Sequence, residues 1–313
     1  MLASARGVAI ARPVTSARRP SVYGTALRGV LRDPFAVMAL CVLAVVALAA
    51  VAGPYLVPHD PLDQDYSMLR RPPVWQERGS PTHLFGTDNL GRDILSRMII
   101  GARVSASVGL AVILLGGIFG TAVGLCAGFF GGRFETIVVG VIDVVLSFPS
   151  LLLALVIVAV LGANIVTVIM ALSLRAWVVY ARVARGQALA LSQYQFVESA
   201  RAVGASAGWI LAHHLLPNLL PSVITIAVLE LARVVLAESS LSFLGLGIQP
   251  PDISWGLMLA EGRNYMLTAN WLVTLPGLAI ALTVLSVNIL ASHVRRVLDP
   301  FQRGRVESEN QRG

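Results

Sequence analysis

Residues 204–208 read Gly-Ala-Ser-Ala-Gly, which is the spacing of the nucleophile elbow of serine hydrolases, and His213 and His214 follow closely. Hydrolase chemistry at such an elbow requires a strained turn between a strand and a helix, an oxyanion hole and an acidic partner. The residues around Ser206 are rich in alanine and favour helix instead. We therefore interpret the serine and both histidines as parts of a helical segment and expect no hydrolase activity.

The remaining histidines indicate no other catalytic site. They are His59, His83 and His293, and all of them fall in polar segments or at the ends of apolar runs. We therefore expect neither a metal site nor the metal or nucleophile cluster that an enzyme acting within the membrane would need. The chain also lacks a Gly-x-x-x-x-Gly-Lys-Ser/Thr phosphate loop, so we expect it to bind no ATP itself.

A polar segment at residues 190–217 has the pattern of a docking loop. Alanines favour helix, a glutamate near a helix start suits the helix dipole, and a glycine permits a turn, so the pattern predicts two short helices joined at the glycine. Such a plug can enter a groove on a partner, although a solvated loop that docks nowhere fits the same pattern. The residues concerned are Glu198, Ala200, Gly204, His214, Leu216 and Pro217.

Ionisable residues inside long apolar runs are a second candidate site. They are Asp143, Arg175, Glu230, Arg233 and Glu238. Each costs about 2.5–3.5 kcal/mol near the centre of a membrane helix on insertion scales, so each must face protein or water. Glu230 and Arg233 are three residues apart and can pair within one helix. Structural pairing and contact with a transported substrate both remain open.

The elements that position these residues are membrane-spanning helices. The 313 residues are 56% hydrophobic and only 13% charged, whereas soluble domains carry about 25% charged residues. About 20 apolar residues are needed to cross the hydrocarbon core as a helix. Six runs meet this length, at about residues 36–57, 104–130, 136–161, 163–181, 218–244 and 271–294. The predicted fold class is an all-α polytopic membrane protein with six transmembrane helices.

Arginines predict the orientation of these helices. They concentrate near the amino terminus, near the carboxyl terminus and beside the docking loop, which places all three in the cytoplasm. The net charge of +7 is explained by this arrangement, so we expect no nucleic-acid partner. The predicted organisation is a cytoplasmic arm at 1–35, a first helix at 36–57, an external loop with a surface helix at 58–102, a five-helix core at 103–294 and a cytoplasmic tail at 295–313.

Glycines recur every fourth residue in the second run and form one helical stripe without side chains, which allows another helix to approach closely. They are Gly116, Gly120, Gly124, Gly128 and Gly132. Packing within the chain and a seam that slides or meets another subunit are equally compatible with this spacing.

Several stretches together resemble the C-type permease subunit of dipeptide and oligopeptide ABC importers, from about residue 33 to residue 300. The docking loop resembles the cytoplasmic "EAA" loop of such permeases, with Ser199 where alanine is common. The other stretches are residues 85–93 (FGTDNLGRD), 101–103, 127–132, 241–247 (LSFLGLG), 250–251 and 254–256.

This resemblance implies a type I importer fold in the bacterial inner membrane. It also implies four kinds of partner: a homologous B-type permease, two ATPase subunits that hold ATP and Mg²⁺, an extracytoplasmic solute-binding protein, and membrane lipid. The expected function is import of peptides, with a nickel chelate or glutathione as alternative solutes. An ion-coupled carrier or channel is the alternative from another class.

Overall fold

The computed structural model describes residues 33–298, so the predicted arm before residue 33 and the tail after residue 298 lie outside the described residues. The all-α prediction is confirmed over the described part of the chain. The helices are α1 (Pro34–Leu56), α2 (Ile94–Phe130), α3 (Gly132–Ser147), α4 (Ser150–Leu161), α5 (Ile165–Leu191), α6 (Gln195–Ala202), α7 (Ala207–Ile210), α8 (Leu216–Phe243), α9 (Trp255–Gly262) and α10 (Trp271–Leu298).

Within residues 33–298, five helical stretches are long and apolar enough to cross a membrane: α1, α2, α5, the continuous stretch Ala207–Phe243 and the first 23 residues of α10. The stretch Ala207–Phe243 contains α7, one π turn at Leu211–Leu215 and α8. Pro217 explains the π turn, because it has no N–H with which to continue the regular hydrogen-bond ladder.

The third predicted span, 136–161, is wrong as a continuous helix. α3 and α4 are bent by 88° relative to one another. Pro149 at the break has no backbone N–H, and the residue before a proline is disfavoured in helical conformation. Phe148 is accordingly extended, with φ −94° and ψ 136°. The proline was visible in the sequence and marked the break.

The bent pair nevertheless returns the chain across the bundle. α2 and α5 lie side by side, and an added methyl at Gly116 meets Ala176, whereas one at Gly128 meets Arg185 and Ala188. Residue numbers increase in the same direction along both helices, so α2 and α5 are parallel. The chain between them must therefore run back along their whole length, and counting α3 and α4 as one broken span gives six crossings.

The glycine stripe forms the contact between α2 and α5. A Cβ atom at Gly120 would lie 2.9 Å from the carbonyl carbon of Trp177, and the backbone of Ala181 lies equally close to Gly124. The stripe is therefore buried within this chain and is not exposed to another subunit. Gly132 is not part of it, because α2 ends at Phe130 and the following Gly131 has φ +65°.

The predicted surface helix before span two is also wrong. Helix α2 begins at Ile94 and continues without a break to Phe130. Ile94 and Arg97 are each 1% exposed, so this first turn does not lie on the membrane surface. The polar residues that suggested an amphipathic helix have partners inside the protein.

The two ends of the described chain meet. The His293 Nε2 atom in α10 lies 3.0 Å from Asp33 Oδ2, at the start of α1. At the end of α2, the guanidinium of Arg201 lies over the ring of Phe129, 5.1 Å from its centroid, and thereby contacts α6. Six crossings place the start of α1, the end of α2, the end of α10 and the α6–α7 segment on one side of the bundle.

Candidate functional site

The predicted turn between two short helices lies at Gly204. Helix α6 ends at Ala202, Gly204 has φ +86°, and Ser206 caps α7 by accepting a hydrogen bond from the Trp209 amide at 3.3 Å. This left-handed conformation favours glycine. Ser206 therefore serves as a helix cap, and its surroundings are not the strand-turn-helix of a hydrolase elbow.

One face of this segment is anchored and the other is open. Val197, Ile210 and Leu215 are at most 1% exposed and pack against the ends of α2, α5 and α8. Ala200 and Leu216 lie at the edge of this apolar cluster. On the outer side Val203 is 89% exposed, and Glu198 and Pro217 are also exposed. Glu198 forms no ion pair with any residue in the described part of the chain.

His214 joins the two short helices through aromatic contacts that the sequence did not reveal. Its ring lies 5.6 Å from the ring of Phe196 in α6 and 5.0 Å from that of Trp209 in α7. Trp209 also stacks on His213, with ring centroids 4.9 Å apart. The angle between α6 and α7 is thus fixed by packing, and the exposed rings add an apolar surface.

Three of the predicted membrane charges form one cluster, the Arg175–Glu230–Arg233 triad. Glu230 accepts from Arg233 Nη1 at 2.8 Å, the predicted pair within α8, and from Arg175 Nη1 of α5 at 3.1 Å. The Glu230 side chain is only 2% exposed, whereas those of Arg175 and Arg233 are 32% and 59% exposed. Two guanidinium groups against one carboxylate leave the triad with a net charge of +1 at a partly open surface.

Glu238 lies in a different environment, although it is on the same helix. It is buried and accepts a hydrogen bond from Ser242 Oγ at 2.8 Å, with Ser105 Oγ of α2 at 3.4 Å. Its carboxyl group is therefore satisfied by hydroxyl groups between α8 and α2. The two glutamates of α8 therefore face different neighbours, Glu230 towards α5 and Glu238 towards α2.

Asp143 does not join the triad either. Its carboxylate lies 3.4 Å from Arg182 of α5, and both side chains are more than half exposed. A second pair between α3 and α5, which sequence reasoning missed, joins Glu135 Oε1 to Arg185 Nη2 at 2.5 Å. Both ion pairs connect α3, the first half of the broken span, to α5.

The sequence analysis also missed a buried charge network at the opposite end of the bundle. Glu261 Oε2 of α9 accepts from Arg92 at 3.1 Å and from Arg97 at 2.6 Å. Asp88 Oδ2 accepts from Arg92 Nε at 2.6 Å. Asp88, Arg92 and Arg97 have side chains at most 7% exposed, so the network connects the segment before α2 rigidly to α9.

Two histidines that we expected to be scattered lie together. His59 and His83 approach Asp93, and the three residues offer ligand atoms within 4.8 Å of one another. The expectation of no metal site therefore did not anticipate this group, which has the ligand types of one. The residues are 34 positions apart along the chain, and no local spacing could have revealed the group.

Comparison with known families gives two matches. Residues 120–304 match the family described as "binding-protein-dependent transport system inner membrane component". Residues 21–73 match the "N-terminal TM domain of oligopeptide transport permease C". The two matches together extend from before α1 to beyond α10.

Individual relatives are similar over most of their length. The dipeptide transport system permease protein DppC of Haemophilus influenzae is 38% identical, covering 85% of this chain and 90% of the relative. The probable D,D-dipeptide transport system permease protein DdpC of Escherichia coli is 36% identical, with coverages of 93% and 97%. The glutathione transport system permease protein GsiD of E. coli is 39% identical, with coverages of 87% and 88%.

Among solved structures, the inward-facing MetNI methionine ABC transporter has a similar chain, with a TM-score of 0.53 and 17% identity. The match covers 66% of this chain and 98% of that chain. At this identity the likeness concerns the fold alone, and it confirms the predicted importer transmembrane fold.

Proposed function

This chain belongs to the family of binding-protein-dependent transport inner-membrane components, and we propose that it forms one half of the membrane pathway of an ATP-driven importer of di- or oligopeptides. The observation that carries the proposal is the open outer face of the α6–α7 segment on a bundle whose relatives include dipeptide permeases. The other half would be a homologous permease. Two ATPase subunits and an external solute-binding protein would complete the complex.

The α6–α7 segment is the proposed contact with an ATPase subunit. Its inner face is fixed to α2, α5 and α8 by buried apolar residues, while Val203 and Glu198 are exposed at the outer side. A rigid plug of this kind can transmit a movement of its partner to the spans without deforming. ATP hydrolysis itself would take place on the partner chains.

We place this segment and both chain ends in the cytoplasm. The arginine distribution supports this orientation, and the contact between Asp33 and His293 places both ends of the described chain on one side. Single cysteines at Asp65, Asn264 and Ser206, in a chain without Cys41 and Cys126, test the orientation. An impermeant thiol reagent should label the first two in intact cells, and labelling of Ser206→Cys would contradict the orientation.

The Arg175–Glu230–Arg233 triad is the proposed contact with the carboxylate of the peptide. Its excess positive charge and the exposure of both guanidinium groups suit a carboxylate, which arginine binds in a forked geometry. A dipeptide with a free carboxyl terminus should therefore be transported better than its amide. In Arg233→Gln this preference should fall severalfold, whereas Arg182→Gln, on the exposed pair with Asp143, should keep it. Equal preference in wild type and Arg233→Gln would exclude this role.

Substrate class is tested with the assembled complex in lipid vesicles with its binding protein. ATP hydrolysis and uptake are measured with dipeptides, longer peptides, glutathione and nickel ions. Peptides should stimulate both. Stimulation by glutathione alone would favour the second candidate, to which the 39% identity with a glutathione permease points. Uptake that follows an ion gradient without ATP would refute an ABC importer.

A further inference from the structure

The histidine pair near the start of α2 has the arrangement of a metal site. His83 Nδ1 lies 2.9 Å from Asp93 Oδ1, and His59 Nδ1 lies 3.8 Å from Asp93 Oδ2. The two imidazole rings are tilted against each other, with centroids 4.6 Å apart. Two nitrogen ligands and one carboxylate thus converge from the segment after α1, from the loop before α2 and from the cap of α2.

One ligand atom has no hydrogen bond at present. His59 Nδ1 is shielded from solvent and has no hydrogen-bond partner in the described part of the chain. A buried polar atom without a partner destabilises the folded state, because it has lost its hydrogen bonds to water. A bound cation between the rings and Asp93 would provide the missing partner, because imidazole nitrogen is a strong metal ligand.

Asp93 is already oriented as a metal-binding carboxylate requires. Its Oδ2 atom accepts from the Ser96 amide at 2.8 Å and from Ser96 Oγ at 2.7 Å. Ser96 Oγ in turn accepts from the His59 amide at 3.1 Å, so it fixes the backbone of one ligand and the side chain of another. These are the supporting contacts that hold ligands of metal sites in place. The Oδ1 atom keeps a lone pair for a cation.

We propose that His59, His83 and Asp93 bind a divalent transition-metal ion, with Zn²⁺ as the best fit. Two imidazoles and one carboxylate are ligands of open zinc sites, in which water takes a fourth position, whereas Ca²⁺ and Mg²⁺ prefer oxygen alone. Tetrahedral ligands about 2.1 Å from zinc lie about 3.4 Å apart. The 2.9 Å separation of His83 Nδ1 from Asp93 Oδ1 must therefore lengthen by about 0.5 Å, and all three residues offer ligand atoms within 4.8 Å of one another.

The burial of the ligands provides both support and access. The side chains of Asp93 and His83 are 1% and 13% exposed, whereas that of His59 is 39% exposed. The ion can enter from the His59 side and keep a water there. On binding, the proton on His83 Nδ1 is released to water while Nε2 takes one up, and Nδ1 exchanges its hydrogen bond to Asp93 for a bond to the metal. The ion then joins the segment at residues 57–93, which we place outside the cell, to the first turn of α2.

The test uses the full-length chain in detergent, purified without a polyhistidine tag and stripped with a chelator. It is dialysed against Zn²⁺, and bound zinc is measured by mass spectrometry. Wild type should bind one zinc per chain, and His59→Ala should bind at least tenfold more weakly because it keeps two of three ligands. His213→Ala, which removes a histidine far from the site, should bind as wild type does.

Two further measurements test the same metal site by independent means. Cobalt in place of zinc should give the visible absorption of a tetrahedral site, and His59→Ala should lose it. Zinc should also raise the unfolding temperature of wild type but not of His59→Ala. The His59 side chain makes no hydrogen bond in the described structure, so this variant should fold even if His83→Ala does not. Zinc binding that is equal in wild type and His59→Ala, or absent in wild type, overturns the proposal.

Discussion

Replacing Gly120 by alanine tests how closely α2 and α5 must pack. The added Cβ atom would overlap the carbonyl oxygen of Trp177 and lie 2.9 Å from its carbonyl carbon and Cα atom. Ordinary contacts of a Cβ atom begin at 3.4 Å, and the atoms it meets belong to a helix backbone, which cannot rotate aside. The helices must therefore separate, and a gap of about 0.5–1 Å removes a quarter to a half of the dispersion energy of each neighbouring contact.

The expected cost follows from these contacts. Overpacking a well-packed core costs about 1–3 kcal/mol, and the rigid neighbour places Gly120→Ala at the upper end. Alanine recovers about 1 kcal/mol through its higher helix propensity, which leaves a net loss of about 1–2 kcal/mol. Gly186→Ala is the matched control, because Gly186 lies within α5 with no atom within 4 Å of its added Cβ. That variant should gain up to about 1 kcal/mol.

The assay is the unfolding temperature of each purified variant in the same detergent. A change of 1 kcal/mol shifts this temperature by about 2–4 °C in domains of 150–250 residues. The two variants should therefore differ by roughly 2–12 °C, with Gly120→Ala the less stable. Equal unfolding temperatures would refute the close contact between α2 and α5. A lower value for Gly186→Ala alone would likewise contradict this contact.

Three further variants test the other clusters. Gly204→Asp should insert normally but reduce both ATPase binding and peptide uptake, because it adds a charged side chain to a turn with positive φ. Gly208→Ala is the control, since its added Cβ has open space around it. Normal peptide-stimulated ATP hydrolysis in Gly204→Asp would exclude a coupling role. Glu230→Gln should destabilise the chain by about 1–3 kcal/mol, since it leaves two partly exposed arginines without their carboxylate. Adding Arg175→Gln should restore part of the lost unfolding temperature, and no recovery would count against the ion pair between Arg175 and Glu230. Glu261→Gln should destabilise the chain more than Glu230→Gln does, by about 3–5 kcal/mol, since it leaves the buried Arg92 and Arg97 to share Asp88. An unchanged unfolding temperature would contradict a stabilising role for this charge network.

The sequence by itself determined the features that depend on neighbours along the chain. Hydropathy located the spans, and the turn at Gly204 and the pair between Glu230 and Arg233 followed from local spacing. The four-residue period of the glycines likewise predicted a close helix contact. In each case the signal is a pattern within one continuous segment, where helix geometry fixes which residues share a face. The bend at Pro149 was of the same kind and could have been predicted, because proline breaks a helix locally.

Only the tertiary structure decided which distant residues meet. Arg175 is 55 residues from Glu230, and Arg92 is 169 residues from Glu261, yet each pair shares a hydrogen bond. The sequence left open whether the glycine stripe packs within the chain or against another subunit, and the parallel arrangement of α2 and α5 placed it inside the chain. Such contacts depend on how the helices cross and on how segments outside the helices, such as residues 57–93, pack against the bundle. A local sequence pattern does not predict this geometry. Ionisable residues inside apolar runs predicted that each must have a partner, because burying an unpaired charge costs too much free energy. Which residue is the partner depended on the fold.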